Sequence, residues 1–516
     1  MDVAALGRGG CLAMKETTER RRPGAFPPPI GWIPILVAIG AILAASAVAI
    51  VPQYATHQIF GVSGNGGSSG DSSGSASTNG AAGHAIGGVG NGSGAGGGAA
   101  VASAGDCTHG KNAGSTDTGV TAHQIHIATT TVTTGVGSGF LGEAVSGMRA
   151  AIARVNQSGG ICGRTIALDS LNDGWDAPTG AADIAKFIGA GNVFALVGEP
   201  DSQGLDAAVQ AGSIDRAGIP VVGTDGMLAS QYTDPWIWPV AASTVTNVHI
   251  AAQYAVQHGA KRVGIVFDDK YKFGKEGASA FKAEVRRLTG GTLGMGDTCQ
   301  TGYCPIAPDA TDFSTPVQGF NTACTAQGGH DKCDFVVMLL EPQPMETWMK
   351  DEQNCSCTWY GTLVGGEPLF DDNMAGTCAQ QCANMMVWTG YRPDIQPFDG
   401  QTPVYTFAHD LASVCPSCDP HNEFTEGAYL GTELFIAAAQ KVGSNLTRAE
   451  LRRVLDSETF DLGLSQPLHY GNGLPHLANT QMAAFRDNAA GTFNGWGYLN
   501  TGFIADAHAG SDIQGR

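Results

Sequence analysis

The chain has 516 residues, 43% of them hydrophobic, and carries 47 acidic against 28 basic side chains for a formal net charge of −19. Beyond residue 22 it has no Lys/Arg-rich run, so it lacks the electrostatic footprint that phosphate backbones require and nucleic acid is excluded as a partner. Once the first 120 residues are set aside, the remaining length accommodates two folded lobes of ordinary size.

Residues 1–30 form a basic tail, in which Arg8, Lys15, Arg20, Arg21 and Arg22 precede the uncharged run "GWIPILVAIGAILAASAVAIV" at 31–51. As a helix rising about 1.5 Å per residue, that run reaches roughly 31 Å, the thickness of a bilayer's hydrocarbon core. No Lys or Arg follows until Lys111, so the positive-inside rule places the N-terminus in the cytoplasm and the body beyond residue 51 outside the cell membrane. The expectation is a single-pass signal-anchor. A cleaved signal peptide is the alternative, because the small residues at 45–49 offer cleavage sites. Residues 52–120 read as a disordered tether, since the Gly, Ser, Ala and Asn that dominate 61–105 cannot bury enough apolar surface to offset chain entropy.

With Cys11 on the cytoplasmic side, twelve of the thirteen cysteines lie outside, and that even number favours disulfides. Local pairing is expected for Cys299/Cys304, Cys324/Cys333, Cys378/Cys382 and Cys415/Cys418, with Cys107 to Cys162 as a longer bridge. Two other readings remain open at this stage. One is a four-thiolate zinc site from Cys355, Cys357, Cys378 and Cys382; the other is a redox-active Cys415/Cys418 pair.

From residue 124 short apolar runs alternate with helical stretches. "QIHIATTT" predicts a strand, followed by a Gly-rich loop at 135–139 and a helix over about 141–157. Gly159 and Gly160 end that helix with the residue type that tolerates left-handed backbone. "TIALDSLND" is then a strand, "APTGAADIAKFIGA" a helix, "NVFALVGE" a buried strand, 203–217 a helix and "GIPVVGT" a strand. The pattern restarts with a helix near 244–258, the strand "KRVGIVFDD", a helix at about 275–289, a cysteine-bearing insertion, a helix near 313–328 and the strand "DFVVMLLE". "TWYGTLVG" and "MMVWTG" follow as strands, then helices near 423–441 and 447–456.

Such alternation predicts an α/β protein with two parallel sheets and right-handed crossovers. The first lobe is expected from 121–242 and 387–465, the second from 243–386 and 466–505, with a tail at 506–516. Ligands bind such sheets at the carboxyl ends of the strands, so the cleft between lobes is the natural site.

Several segments together resemble the type I periplasmic binding proteins, in particular the branched-chain amino-acid class of ABC-transporter substrate-binding proteins. They are "TTGVGSGFLGEAVSGMRAAIARVNQSGG", "GGICGRTIAL" with "DSLNDGWD", "LVGEPDSQGLDAA", "AGIPVVGTD" and "RVGIVFDDKYKFGKEGASAF". The resemblance implies a Venus flytrap of two lobes joined by three crossing segments and closing on a small solute. It implies ABC permease and ATPase subunits on separate chains as partners. Carried over residue by residue, it points to Phe140 in the first loop, Ser202 and Gln203 after the third strand, Asp225 and Gly226 in the next loop, Phe273 in the second lobe, and Glu341 and Glu367 after second-lobe strands. Asp225 departs from the family pattern, because a fixed negative charge there would repel a ligand carboxylate. The family's ammonium-binding glutamate aligns nearer Leu363, leaving Glu367 a shifted candidate. Cationic, amide-like or hydroxylated solutes therefore fit as well as a branched-chain amino acid. Trp175 either lines the cleft or packs on a lobe surface.

No Gly-x-Ser-x-Gly, His-Glu-x-x-His, phosphate loop or dinucleotide fingerprint is present, so the reading is binding without catalysis, with no catalytic residue, resident metal or cofactor. A ligand sensor signalling through a partner protein and a surface adhesion protein are the rival readings.

Overall fold

The computed structural model describes residue 107 and residues 112–326, 333–355, 360–370, 382, 385–392, 403–471, 481–487, 496–498 and 504–514. The expected anchor at 31–51 and the Gly-rich segment 61–105 lie outside the described residues, among which no helix is long and apolar enough to cross a membrane.

In the first lobe, β1 (Gln124–Thr131), β2 (Thr165–Asn172), β3 (Ala195–Val197), β4 (Val221–Thr224) and β5 (Ile237–Pro239) form an all-parallel sheet in the order β2-β1-β3-β4-β5. Between them run α1 (Ser138–Leu141), α2 (Ala144–Gln157), α3 (Ala177–Ala190), α4 (Ser202–Gln210) and α5 (Ser213–Ala217). The single helix expected over 203–217 is divided because Gly212 adopts a left-handed φ of +64°. At the junction after α2, Gly160 has φ +72° and a Cβ there would stand 2.0 Å from the Arg164 carbonyl oxygen, so only glycine fits. The Arg164 side chain is buried and donates to the carbonyls of Thr121, Gly114 and Ser444, tying the chain's entry to a later helix connection.

The second lobe contains α6 (Thr244–Gln257), β6 (Val263–Asp268), α7 (Lys272–Thr289), β7 (Tyr303–Ile306), α8 (Ser314–Ala326), β8 (Cys333–Leu339), α9 (Pro342–Cys355), β9 (Tyr360–Gly365) and β10 (Met385–Thr389). Strand β7 was hidden in the cysteine-bearing insertion; it is four residues long, contains Pro305, and lies at the sheet edge where proline is tolerated.

After β10 the chain returns to the first lobe as α10 (Pro403–Val414), α11 (Glu423–Val442) and α12 (Arg448–Ser457), and then re-enters the second sheet as β11 (Gln481–Asp487), β12 (Trp496–Tyr498) and β13 (Ile504–Ala505), before α13 (Ser511–Gln514). The second sheet runs β12-β11-β10-β9-β8-β6-β7, with β13 on β11. It is not wholly parallel as expected: β11 pairs antiparallel with β10, β12 and β13, because a strand entering from the other lobe's helices arrives from the opposite end. Helix α11 lies hard against the first lobe, where a Cβ at Gly223 would meet the Gly431 Cα at 2.0 Å.

The crossings lie side by side. A Cβ on Gly390 would stand 3.0 Å from that of Ala241, the Arg392 N–H donates to the Leu464 carbonyl at 2.8 Å, and the Tyr470 hydroxyl donates to the Pro239 carbonyl at 2.6 Å.

Disulfides join Cys107 to Cys162, Cys299 to Cys304, Cys324 to Cys333 and Cys415 to Cys418. Cys355 and Cys382 are also disulfide-bonded, which removes them as thiolate ligands and with them the four-thiolate zinc site; Cys357 and Cys378 lie outside the described residues.

Candidate functional site

The loops at the carboxyl ends of the strands meet across the cleft, and the contact begins with Trp175. The turn "NDGW" after β2 sends Gly174 and Trp175 into the left-handed region, at φ +65° and +66°. For a bulky side chain such a conformation costs on the order of 1–3 kcal/mol and persists only where its surroundings impose it. Here Asp173 accepts from the Trp175 N–H at 2.8 Å, and the indole lies stacked on Tyr271 of the other lobe with ring centroids 4.0 Å apart. Phe273 follows at 6.2 Å from the indole; Phe140 meets the indole edge-on at 5.4 Å, and the tilted ring of Phe424 lies 5.4 Å from that of Phe140. Trp175 thus lines the cleft, which settles the choice left open by its sequence.

Polar contacts close the same seam. Lys272, at the start of α7, places its Nζ 2.6 Å from Asp206 of α4 and 3.2 Å from Glu276, and Glu276 accepts the Ala229 N–H at 3.1 Å. The Gln203 side-chain oxygen accepts the Lys272 N–H at 3.4 Å.

Behind the aromatic layer, at the crossings, Asp225, Glu367 and Glu423 line one chamber with Tyr391, Phe424 and Met227. Its volume is about 10 Å³, the room of a single water. A second chamber of about 10 Å³ adjoins it, sharing Asp225, Tyr391 and Phe424 and adding Glu199. No Lys or Arg side chain lines either.

The carboxylates reach the chamber from separate elements. Asp225 follows β4; its Oδ1 accepts from Gln231 at 3.0 Å and the Met227 N–H at 3.1 Å, while its Oδ2 is buried without a partner. Glu423 opens α11; its Oε1 accepts the Gly390 N–H at 3.1 Å, its Oε2 has no partner, and the residue is 3% exposed. Glu367 follows β9 in a 3-10 turn, and Asn247 donates to it. Burial without a cation disfavours the charged form. It pushes Asp225 up to about 7, against the opposing Met227 N–H and Gln231 side chain. It pushes Glu367 up to about 7 as well, and Asp225's charge adds to the rise. Glu423 is driven well above the carboxylate range by burial and then by the charge of Glu367. In the second chamber burial carries Glu199 to about 8 despite hydrogen bonds from the hydroxyl and N–H of Thr130.

Of the residues singled out by sequence, Asp225 and Glu367 meet in this chamber, with Gly226 beside Asp225 in left-handed backbone at φ +72°, its Cβ position 2.4 Å from the Tyr232 hydroxyl. Phe140 and Phe273 belong to the aromatic layer, on opposite lobes. Ser202 is buried with its hydroxyl 3.7 Å from the Met227 sulfur, and it is not the helix cap: Asp201 is, accepting from the N–H groups of Gln203 and Gly204. Gln203 makes the contact to Lys272 described above. Glu341 stands apart, beside Asp268 at the strand ends of the second lobe; neither of its oxygens has a donor, and burial followed by the charge of Asp268 pushes it well above the usual range. Glu199, Tyr271, Tyr391, Glu423 and Phe424 were not anticipated. Among the described residues no cluster of His, Cys, Asp and Glu could hold a metal ion.

Two α/β lobes, crossings at one edge and strand ends apposed over a buried chamber define the geometry. A family model described as periplasmic binding protein matches residues 124–493. The chain belongs to that family. Solved structures share the fold of this periplasmic binding protein at low identity. A possible leucine/isoleucine/valine-binding protein of Rhodopirellula baltica superposes with TM-score 0.62 and 14% identity, over 73% of this chain and 96% of its own. A fatty acid ABC transporter substrate-binding protein of Thermomonospora curvata gives 0.62 and 16%, over 78% and 96%. The branched-chain amino acid transporter substrate-binding protein of Streptococcus pneumoniae, solved with isoleucine, gives 0.57 and 16%, over 73% and 99%. No curated protein sequence matches the chain.

Proposed function

We propose that this periplasmic binding protein captures a small polar solute, such as an amino acid, an amide or a related compound, between its lobes outside the membrane and delivers it unaltered to an ABC permease. Residues 31–51 would serve as the anchor. The observation that carries this reading is the seam itself: strained Trp175 of one lobe lies on Tyr271 of the other, over a chamber whose buried acceptors lack donors. An interior that leaves acceptors unpaired is costly unless a ligand pairs them. The disulfides fit an oxidising, extracytoplasmic setting.

In the mechanism, the lobes part about the crossings, the solute enters, and its higher affinity for the closed arrangement shifts the population toward closure. Trp175, Tyr271 and Phe273 then exclude water, and Lys272 joins α7 to Asp206. The test is a thermal-shift screen of the chain against amino acids, amides, polyamines and aromatic acids, with small-angle scattering of each hit. A bound solute raises the melting temperature by mass action and lowers the radius of gyration. A screen in which no solute does either sinks the reading.

A further inference from the structure

The chamber walled by Asp225, Glu367 and Glu423 has a chemistry that narrows the solute. Three acidic side chains from three separate elements converge on a space of about 10 Å³ with no basic side chain in its wall. Two of them present buried oxygens without any hydrogen-bond donor, Asp225 Oδ2 and Glu423 Oε2, and Glu423 is 97% buried by its 3% exposure. What is missing is therefore a compact group that only donates and carries positive charge.

We infer that this chamber receives the ammonium group of a small primary amine that bears no carboxylate. The assignment rests on the solute-capture reading above and specifies its ligand. A primary ammonium has three N–H donors and no acceptor. Two of them meet the unpaired oxygens of Asp225 and Glu423, and the third meets Glu367. Its size is close to that of the water the chamber would hold. The apolar stem leaves past Met227 and Phe424, toward the aromatic layer formed by Phe140, Trp175 and Phe273. A carboxylate has no place beside this group, since every ionisable side chain in the walls of both chambers that could approach it is a carboxyl or a tyrosine. A guanidinium is too large for the space.

Proton linkage gives an independent signature. A primary amine, which carries its positive charge at neutral pH, must displace protons that the buried carboxyls otherwise hold, so binding releases protons and strengthens as the pH rises toward 8. The loss of one proton makes binding roughly tenfold tighter per pH unit below the carboxyls' pKa.

The experiment is titration calorimetry of the full chain with n-butylamine, n-butyrate, leucine and potassium chloride, at pH 6 and pH 8 and in two buffers of different ionisation enthalpy. The expected result is binding of butylamine alone, at least tenfold tighter at pH 8 than at pH 6, with protons released. Glu423→Gln is expected to weaken butylamine at least tenfold. Should that variant not fold, the comparison of butylamine with butyrate and the proton count on the unaltered chain decide the matter. Equal or tighter binding of butyrate or leucine would overturn the amine assignment while leaving solute capture standing. Competition by potassium at the same concentration would overturn it too, by making the chamber a site for any monovalent cation. Absence of butylamine binding also overturns it, and the wider solute screen then judges capture separately.

Discussion

Two buried acidic clusters in this protein differ in one respect, and the difference separates scaffold from site. In the second lobe, Asp506, Asp512 and Glu284 surround His249: its Nδ1 lies 3.1 Å from Asp506 and its Nε2 2.7 Å from Asp512, while His508 stands 2.6 Å from Glu284 and Gln253 donates to both Glu284 and Asp506. Arg287 reaches Glu284 and Asp512 as well. Every acid there has a cationic or donating partner from the same chain. At the crossings, Asp225, Glu367 and Glu423 have amides and backbone N–H groups but no cation. The first cluster is complete and fastens the chain's last segment to α6 and α7. The second leaves Asp225 Oδ2 and Glu423 Oε2 buried without a donor.

The largest effect expected from breaking this comparison is one of opposite signs. His249→Ala leaves the buried Asp506 carboxylate short of its cation, and removing one member of a buried pair costs about 3–5 kcal/mol. Chemical denaturation at pH 7 should register that loss. Glu423→Gln should instead stabilise the ligand-free chain at pH 8, since the folded state there must otherwise keep a proton that the unfolded chain releases. At pH 3, where both states are protonated, the same substitution should change little. Destabilisation by Glu423→Gln at both pH values would place this glutamate with the completed cluster.

The pH profile sharpens the contrast and is next in size. Asp225 and Glu367 titrate at about 7 in the fold against about 4 in an unfolded chain, so the folded state binds more protons between those values. Stability from these groups is full below pH 4, falls as the pH rises to 7, and is flat above. In the completed cluster burial opposes the charge of His249, but the hydrogen bond and charge of Asp506, with Glu284 and Asp512, together raise its pKa. Its contribution is present below the unfolded value and lost as the pH rises through the raised one. Asp506 is lowered: the cost of burial is outweighed by His249, the His508 N–H and Gln253, so its contribution is lost as the pH falls through the lowered value. Denaturation between pH 4 and 7 should therefore show a decline that the double variant Asp225→Asn, Glu367→Gln flattens and His249→Ala does not. A decline of unchanged slope in the double variant would contradict the burial of these two acids.

The same contrast explains what could be read from the sequence. Alternation of short apolar runs with helical stretches was sufficient for two α/β lobes, because strand and helix periods are local properties. The left-handed glycines at 159 and 160 marked their junction for the same reason. The site was less legible. Glu423 sits in "HNEFTEGAYL", where Asn422 caps the helix and an acid in the first turn is what the helix dipole favours anyway, so its approach to Asp225 has no local signature. Its meeting with Glu367 depends on how the crossings lie side by side, and their contacts span far-separated positions such as Ala241, Gly390 and Leu464. Trp175 carried a partial signal: a large aromatic directly after Asp-Gly at a strand end. That it adopts positive φ and reaches Tyr271 is a property of the closed pair of lobes. The antiparallel edge of the second sheet was invisible too, since strand direction there follows from a return path and not from the period of β11.

Trp175→Ala addresses the seam rather than the chamber. It removes a stacked ring pair, worth about 0.5–1.5 kcal/mol beyond the area buried, and also relieves some of the strain of a bulky side chain at positive φ. Global stability should change by less than in His249→Ala. The closed population should fall, seen as a larger radius of gyration in small-angle scattering of the ligand-free chain. An unchanged radius would mean that the aromatic layer does not hold the lobes together.

The smallest effect is expected at Lys272, and its size is informative because the residue touches both sides. Its ammonium is 2.6 Å from Asp206 and 3.2 Å from Glu276, with the Lys272 side chain 26% exposed and that of Asp206 10% exposed. Ion pairs that water can reach contribute about 0.2–1 kcal/mol and weaken with salt. Lys272→Met keeps most of the apolar stem while deleting the charge, so it should leave the melting temperature nearly constant and speed solute release by roughly twofold to fivefold, measured by stopped-flow. The effect should shrink in 0.5 M salt. A change much larger than this, insensitive to salt, would show that Asp206 is buried deeply enough to need its lysine, and would move this contact from the solvent-reached seam into the class of His249 and Asp506.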